Sequence, residues 1–279
     1  MAKQLTLVAS AETAPEVSEC PNCGEQLLGE FCHGCGQKKL HRRELSLKHF
    51  FVRATSEFTD LESNKAVRTF KALLFKPGQL TNEFLSGRKG QYITPIRLYL
   101  TFSALYFLFA WGALSEARGG GVNWMSKAPW AIAMAKSRNV DVQTLVEKIS
   151  QRAEKYATVL RFASVLVSGV FLTLLYYGTR RYYVEHLVFS LHYYSFDFLT
   201  KSVFGLLFVL GNLIGTKLPA PALNLFYPLA FIYLLFALRR VFQQSWGKTL
   251  MKSVVLFLCE TVLFMAVNMI GFMVAIFSA

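Results

Sequence analysis

From Leu98 onward the chain repeatedly runs for 17 residues or more without a charge, and nothing else in it restricts the fold so strongly. Leu98–Leu114 and Phe162–Gly178 are each uncharged for 17 residues, Pro221–Leu238 for 18, and Ser253–Ala279 is broken only by Glu260 across 27. Crossing about 30 Å of hydrocarbon takes about 20 helical residues, with about 17 at the short end. Backbone polar groups in hydrocarbon must pair internally, so such runs read as helices. Leu187–Gly215 is apolar overall but holds His192, Asp197 and Lys201, which leaves a re-entrant or interfacial reading open. The expectation is an all-α polytopic membrane protein with about five transmembrane helices, near 98–114, 160–178, 187–215, 221–238 and 253–277.

Charge sets the orientation. The 279 residues carry 30 Lys and Arg against 17 acids, a formal net charge of +13, while 53% are hydrophobic. A chain both this basic and this apolar is neither a disordered tail protein, nor a disulfide-stapled mini-protein, nor an ordinary soluble enzyme. With five spans and a cytoplasmic N-terminus, cytoplasmic segments hold 20 of the 30 bases and the opposite side eight, seven of them in the 116–158 loop. The positive-inside rule then favours a multi-pass inner-membrane protein with a periplasmic C-terminus. Leu5–Ala11 is short, interrupted by polar residues and followed by Glu12 and Glu16, a poor signal peptide. Residues 1–18 read instead as a disordered N-terminus.

The strongest local signal lies at 19–37. Cys20-Pro-Asn-Cys23-Gly24 and Cys32-His-Gly-Cys35-Gly36 are two CxxC knuckles separated by eight residues. That spacing lets two thiolates per knuckle converge on one ion, and two knuckles complete a tetrahedral shell. Gly24 and Gly36 stand where each knuckle needs positive φ. Four thiolates leave no open coordination position, so Cys20, Cys23, Cys32 and Cys35 read as the ligands of one structural Zn2+ ion, a zinc ribbon. Redox or disulfide use would need a βαβ context or an exported N-terminus, and neither is indicated. Cys259, the fifth cysteine, falls in the last apolar run and reads as a small core filler.

Residues 38–96 form a basic connector with 12 Lys or Arg against five acids. Leu45, Leu47, Phe50, Phe51, Ala54, Phe58 and Leu61 recur at near-helical spacing, as do Val67, Phe70, Leu73 and Leu74 before Pro77-Gly78. Helices of this kind lie in the headgroup layer or pack on the spans. Lys38, Lys39, Arg42, Arg43, Lys48 and Arg53 are placed to meet anionic lipid headgroups. Bulky Phe and Leu in place of polar base-readers make nucleic acid the weaker partner.

The segment Cys20–Gln37, followed in order by Pro77-Gly78, Gly87-Arg88, Tyr92, Pro95, Arg97 and Tyr99, resembles a bacterial zinc-ribbon membrane family, domain-of-unknown-function family 3667. Tyr183-Val-Glu-His-Leu-Val-Phe189 and Ser195-Phe196 are similar to the same family's segment before its third span. The resemblance implies an inner-membrane protein of uncharacterised activity and carries over no catalytic residue.

Ionisable side chains inside spans are expensive and are functional candidates by default. Asp197 and Lys201 are i, i+4 neighbours able to neutralise each other. Glu185, His186 and His192 cluster about the entrance of the same span, where they could also offer metal ligands. Arg161 and Glu260 need partners in each other or in this cluster. A proton relay or substrate site is one outcome; interhelical ion pairs that fix packing are the plainer one. The chain contains no nucleophile elbow, P-loop or dinucleotide fingerprint, and nothing in its spacing assembles an enzyme. Two function classes remain: a scaffold or assembly protein whose ribbon docks a partner, and a transporter or lipid-handling protein using polar groups of the third and fifth spans.

Overall fold

The computed structural model describes residues 18–27, 29–37, 63–117, 125–179, 181–215 and 225–278. The 1–17 tail and the first part of the connector, residues 38–62, lie outside them. Two short strands, β1 (Ser18–Glu19) and β2 (Gln26–Leu27), pair antiparallel with Ser18 opposite Leu27. Eight α-helices follow among the described residues: α1 (Ser63–Phe75), α2 (Gln79–Leu85), α3 (Pro95–Ala117), α4 (Pro129–Arg138), α5 (Val142–Leu175), α6 (Tyr183–Leu213), α7 (Phe226–Phe242) and α8 (Trp246–Ser278).

Local chemistry explains the boundaries. Pro95 and Pro129 open α3 and α4 at positions where the missing N–H costs nothing. Asp141 caps α5, its carboxylate accepting from the Thr144 N–H at 3.0 Å. Asn139 (φ 53°) and Gln243 (φ 51°) end α4 and α7 in the left-handed region. Lys76-Pro77-Gly78 separates α1 from α2, and Gly78 is required twice over. Its φ is 77°, and a Cβ there would sit 2.8 Å from the Ala237 carbonyl oxygen of α7.

Helices α5, α6 and α8 are long and apolar enough to cross a membrane. The polar half of the third apolar segment does not interrupt it: α6 runs unbroken through His192, Asp197 and Lys201. The second apolar segment begins earlier than its uncharged run suggests. Helix α5 starts at Val142, because the Asp141 cap and the spacing of Val142, Leu145, Ile149 and Ala153 lead into the apolar run without a break. Its first half carries Glu147, Lys148, Arg152, Glu154 and Lys155. At about 1.5 Å per residue its 34 residues exceed the hydrocarbon thickness, so the apolar second half is long enough to cross without this charged half. Helix α3 has 23 residues and α7 has 17, both shorter than α5, α6 and α8.

The core lies where α3, α5, α6 and α7 meet, around Leu73, Leu172, Leu187, Phe189, Leu234 and Leu238. Tyr106 stacks on Phe198 with ring centres 5.1 Å apart, and Phe196 on Tyr233 at 3.7 Å. Helices α5 and α8 approach closely through small residues, a Cβ on Gly271 falling 2.9 Å from the Ala153 carbonyl. Several hydroxyls are buried among these apolar residues, while many aliphatics of α8 face outward. Ser168, Ser190, Ser195, Thr249 and Ser253 are buried, whereas Met251, Leu258, Val262, Met265 and Met269 on α8 are exposed.

Candidate functional site

Each CxxC knuckle closes in the same way. The Cys20 N–H donates to Glu25 O at 2.8 Å and Gly24 N–H to Cys20 O at 2.8 Å; Cys32 N–H donates to Gln37 O at 2.9 Å and Gly36 N–H to Cys32 O at 2.8 Å. Gly24 (φ 80°) and Gly36 (φ 70°) adopt the left-handed conformation that the knuckle spacing predicts. The four sulfur atoms lie within 4.8 Å of one another. Cys20 Sγ is 3.7 Å from Cys35 Sγ and Cys23 Sγ is 3.5 Å from Cys32 Sγ. These separations exclude S–S bonds. They match the roughly 3.8 Å edge of a tetrahedron built on metal–sulfur bonds of about 2.3 Å. The donor set therefore fits a metal ion held by four thiolates. The Asn22 side chain, hydrogen-bonded to Cys35, draws that thiol down to about 6 against the opposing effect of burial. His33 is outside the set, with Nε2 3.6 Å from Glu25 Oε1.

The ribbon is anchored to the helical body through Gln37. Its Nε2 donates to the Gly87 carbonyl at 2.7 Å, and its Oε1 accepts from the N–H groups of Lys89 and Gly90, both at 3.2 Å. The α2–α3 loop that receives it is itself tied down. Arg88 pairs with Glu83, and the buried Thr69 hydroxyl of α1 accepts from the Ile93 N–H at 3.0 Å.

The intramembrane candidates separate into two groups. Asp197, Lys201, Arg161 and Glu260 converge, together with Tyr106, Ser164 and Tyr194, on a cavity of about 40 Å³, room for a water molecule. Lys201 Nζ donates to Asp197 Oδ2 at 2.6 Å, the Tyr194 hydroxyl to Glu260 Oε2 at 2.5 Å, and Arg161 Nη2 to Asn268 Oδ1 at 2.7 Å. Arg161 and Glu260 thus face one cavity, while their close hydrogen bonds go to Asn268 and Tyr194. Neutral partners such as Tyr194 leave no periodic signal in a sequence.

Glu185, His186 and His192 do not converge with them or with each other. Glu185 accepts from the Tyr182 N–H at 3.3 Å and stands 3.9 Å from Arg181. His186 Nδ1 lies 3.2 Å from the Thr173 hydroxyl, and its ring stacks near Phe242. His192 is buried against α2, with Nδ1 3.0 Å from Thr81 Oγ1. Six residues of helix put the two imidazoles against different neighbours, which removes the second metal site. Among the described residues, only the four cysteines form a group of three or more possible metal ligands. Lys38, Lys39, Arg42, Arg43, Lys48 and Arg53 lie outside the described residues.

No curated protein and no solved structure matches the chain significantly. Residues 64–107, which make up nearly all of α1, then α2, the receiving loop and the apolar first half of α3, match the family model described as protein of unknown function (DUF3667), so the chain carries a segment of the family that its motifs resemble.

Proposed function

We propose that the chain is an integral inner-membrane protein that presents a structural zinc ribbon on the cytoplasmic face and acts as a scaffold or assembly factor. The exposed aliphatic surface of the long helices, with hydroxyls buried between them, carries the membrane half of this reading. Burying Ser and Thr between helices while exposing Met, Leu and Val is the reverse of a water-soluble surface. In hydrocarbon it is favourable where the hydroxyl bonds to a carbonyl one turn back: Ser253 Oγ donates to Thr249 O at 2.8 Å and Ser195 Oγ to Leu191 O at 2.6 Å. Helices α3 and α7 complete five spans in this arrangement. The basic count then favours a cytoplasmic N-terminus and ribbon and a periplasmic C-terminus.

The scaffold half rests on the ribbon. A four-thiolate site has no open position for a substrate, and Gln37 holds the module against the membrane body as a fixed cytoplasmic surface. Zinc is the favoured metal because a closed tetrahedral thiolate set suits it. A partner docked on the ribbon and anionic lipids around the connector are the contacts this arrangement would make.

A native mass spectrum of the gently extracted protein tests the reading. One zinc and a copurifying protein, both lost in Cys32→Ser, support the scaffold. A spectrum without zinc overturns the ribbon assignment. The second reading, transport or lipid handling through α6 and α8, is favoured by the convergence of Asp197, Lys201, Arg161 and Glu260 on one cavity. One zinc with a defined lipid and no protein partner would select it.

A further inference from the structure

An open groove of about 880 Å³ lies where α7 turns into α8, away from both the ribbon cysteines and the intramembrane cluster. Arg239, Arg240 and Gln243 line it at the end of α7, and Trp246 lines it from the first residue of α8. Phe236, one turn deeper on α7, and Phe75 with Pro77 from the α1–α2 turn complete the wall. Among the described residues, two guanidinium groups and no carboxylate line the groove. Arg239 is held in place: it donates to the Gln244 carbonyl, and its Cζ lies 5.4 Å from the Trp246 ring centre. The Arg240 side chain is exposed. The aromatic wall is exposed too, Phe75 at 78%, Trp246 at 54% and Phe236 at 49%.

We propose that this groove binds the headgroup of an anionic phospholipid, with Arg239 and Arg240 on the phosphate and Phe75, Phe236 and Trp246 along the upper acyl chain. Three observations select that occupant. The groove lies at the N-terminal end of the long apolar helix α8, the end that meets the headgroup layer on the membrane reading. Trp at that position is the ordinary interfacial side chain, amphipathic and wet at one end. Guanidinium forks match phosphate oxygens two at a time, and they are less strongly hydrated than ammonium groups. A soluble acidic peptide would satisfy the charges but leave the aromatic wall in water. Lys248 and Lys252 on the first turns of α8 extend the basic character of the same end of the bundle.

The inference rests on the membrane reading, and the two are tested apart. Carbonate extraction of membranes containing the full chain comes first; release of the chain overturns the membrane reading itself. Full-length protein is then delipidated in detergent, and phosphatidylglycerol and phosphatidylcholine are titrated in turn by native mass spectrometry. Each base near a membrane surface contributes about fivefold to binding an anionic lipid, so two give a preference of about 25-fold for phosphatidylglycerol. The double variant Arg239→Gln/Arg240→Gln is expected to lose that preference, while Lys136→Gln/Arg138→Gln, a matched charge loss on α4, keeps it. A photoactivatable phosphatidylglycerol should label the peptide spanning Phe236–Trp246 in the unmodified chain, which needs no variant to fold. Equal retention of the two lipids, an unchanged double variant, labelling confined to other peptides, or displacement by inorganic phosphate each overturns the proposal.

Discussion

The side-chain amide of Gln37 reaches across fifty residues of sequence to the carbonyl of Gly87, donating at 2.7 Å, and this bond joins the cysteine module to the helical body. Gly87 has a φ of 87°, a conformation that turns the α2–α3 loop so that its carbonyl and the N–H groups of Lys89 and Gly90 meet one side chain. Gln37 lies two residues beyond the last cysteine, and its own carbonyl accepts from the Cys32 N–H. Knuckle closure and docking therefore share a residue.

Replacing Gln37 with Ala should release the ribbon without emptying it. Three hydrogen bonds are lost, each worth about 1 kcal/mol net, while the four sulfurs stay in place. Faster tryptic cleavage at Arg88 and Lys89, with unchanged metal content, is the expected outcome. Gln37→Glu should fall between the alanine variant and the unmodified chain, because a carboxylate still accepts from the Lys89 and Gly90 N–H groups but cannot donate to the Gly87 carbonyl.

Cys32→Ser should remove the metal and unfold the ribbon, since so short a segment has no other core than Cys20, Leu27 and Cys32. The helical content measured by circular dichroism should remain close to that of the unmodified protein. Cobalt substitution supplies the geometric check. Intense tetrahedral visible bands are expected in the unmodified chain and not in the variant.

Gly78→Ala meets both a φ of 77° and the Ala237 carbonyl 2.8 Å from the new Cβ. Overpacking of this kind costs about 1–3 kcal/mol, with left-handed strain in addition. Gly178→Ala is the control, because nothing lies within 4 Å of a Cβ at that position. Thermal unfolding in detergent should separate the two clearly, with Gly178→Ala close to the unmodified protein.

Asp197→Asn and Lys201→Met should each destabilise α6 packing more than the double variant does. Removing one partner of a largely buried pair leaves the other charge uncompensated, a cost of about 3–5 kcal/mol, whereas removing both does not. A double-mutant cycle on thermal stability measures the difference. If the pair instead served a transported species, any transport activity would be lost in the double variant despite its recovered stability.

At Asp141 the backbone N–H of Thr144 leads the interactions that hold the carboxyl below its ordinary range. A lowered folded-state value means the cap is fully effective above about pH 4 and is lost as pH falls through that lowered value. Hydrogen exchange in the first turn of α5 should therefore be faster in Asp141→Ala than in the unmodified chain near about pH 6. Once the pH has fallen through the lowered Asp141 value the two should exchange alike.

The amino-acid order alone established the architecture wherever the controlling physics is local. Uncharged length against hydrocarbon thickness found the apolar parts of α5 and α8, while α6, with Asp197 and Lys201 inside it, was left open between a span and a re-entrant segment; CxxC spacing with glycine at each knuckle brought Cys20, Cys23, Cys32 and Cys35 together. The i, i+4 offset of Asp197 and Lys201 was also sufficient, because one helix holds both ends of that bond. Partnerships across helices were left to the tertiary structure. Glu260 meets Tyr194, Arg161 meets Asn268, His192 meets Thr81 and Gln37 meets Gly87, none of them at a helical spacing. Such pairs are set by which faces of separate elements come together, a property of packing rather than of the period of any one segment. The same distinction explains why Glu185, His186 and His192, neighbours in the chain, face different surroundings: a helix turns successive side chains about 100° apart, and only the neighbouring helices decide what each one meets.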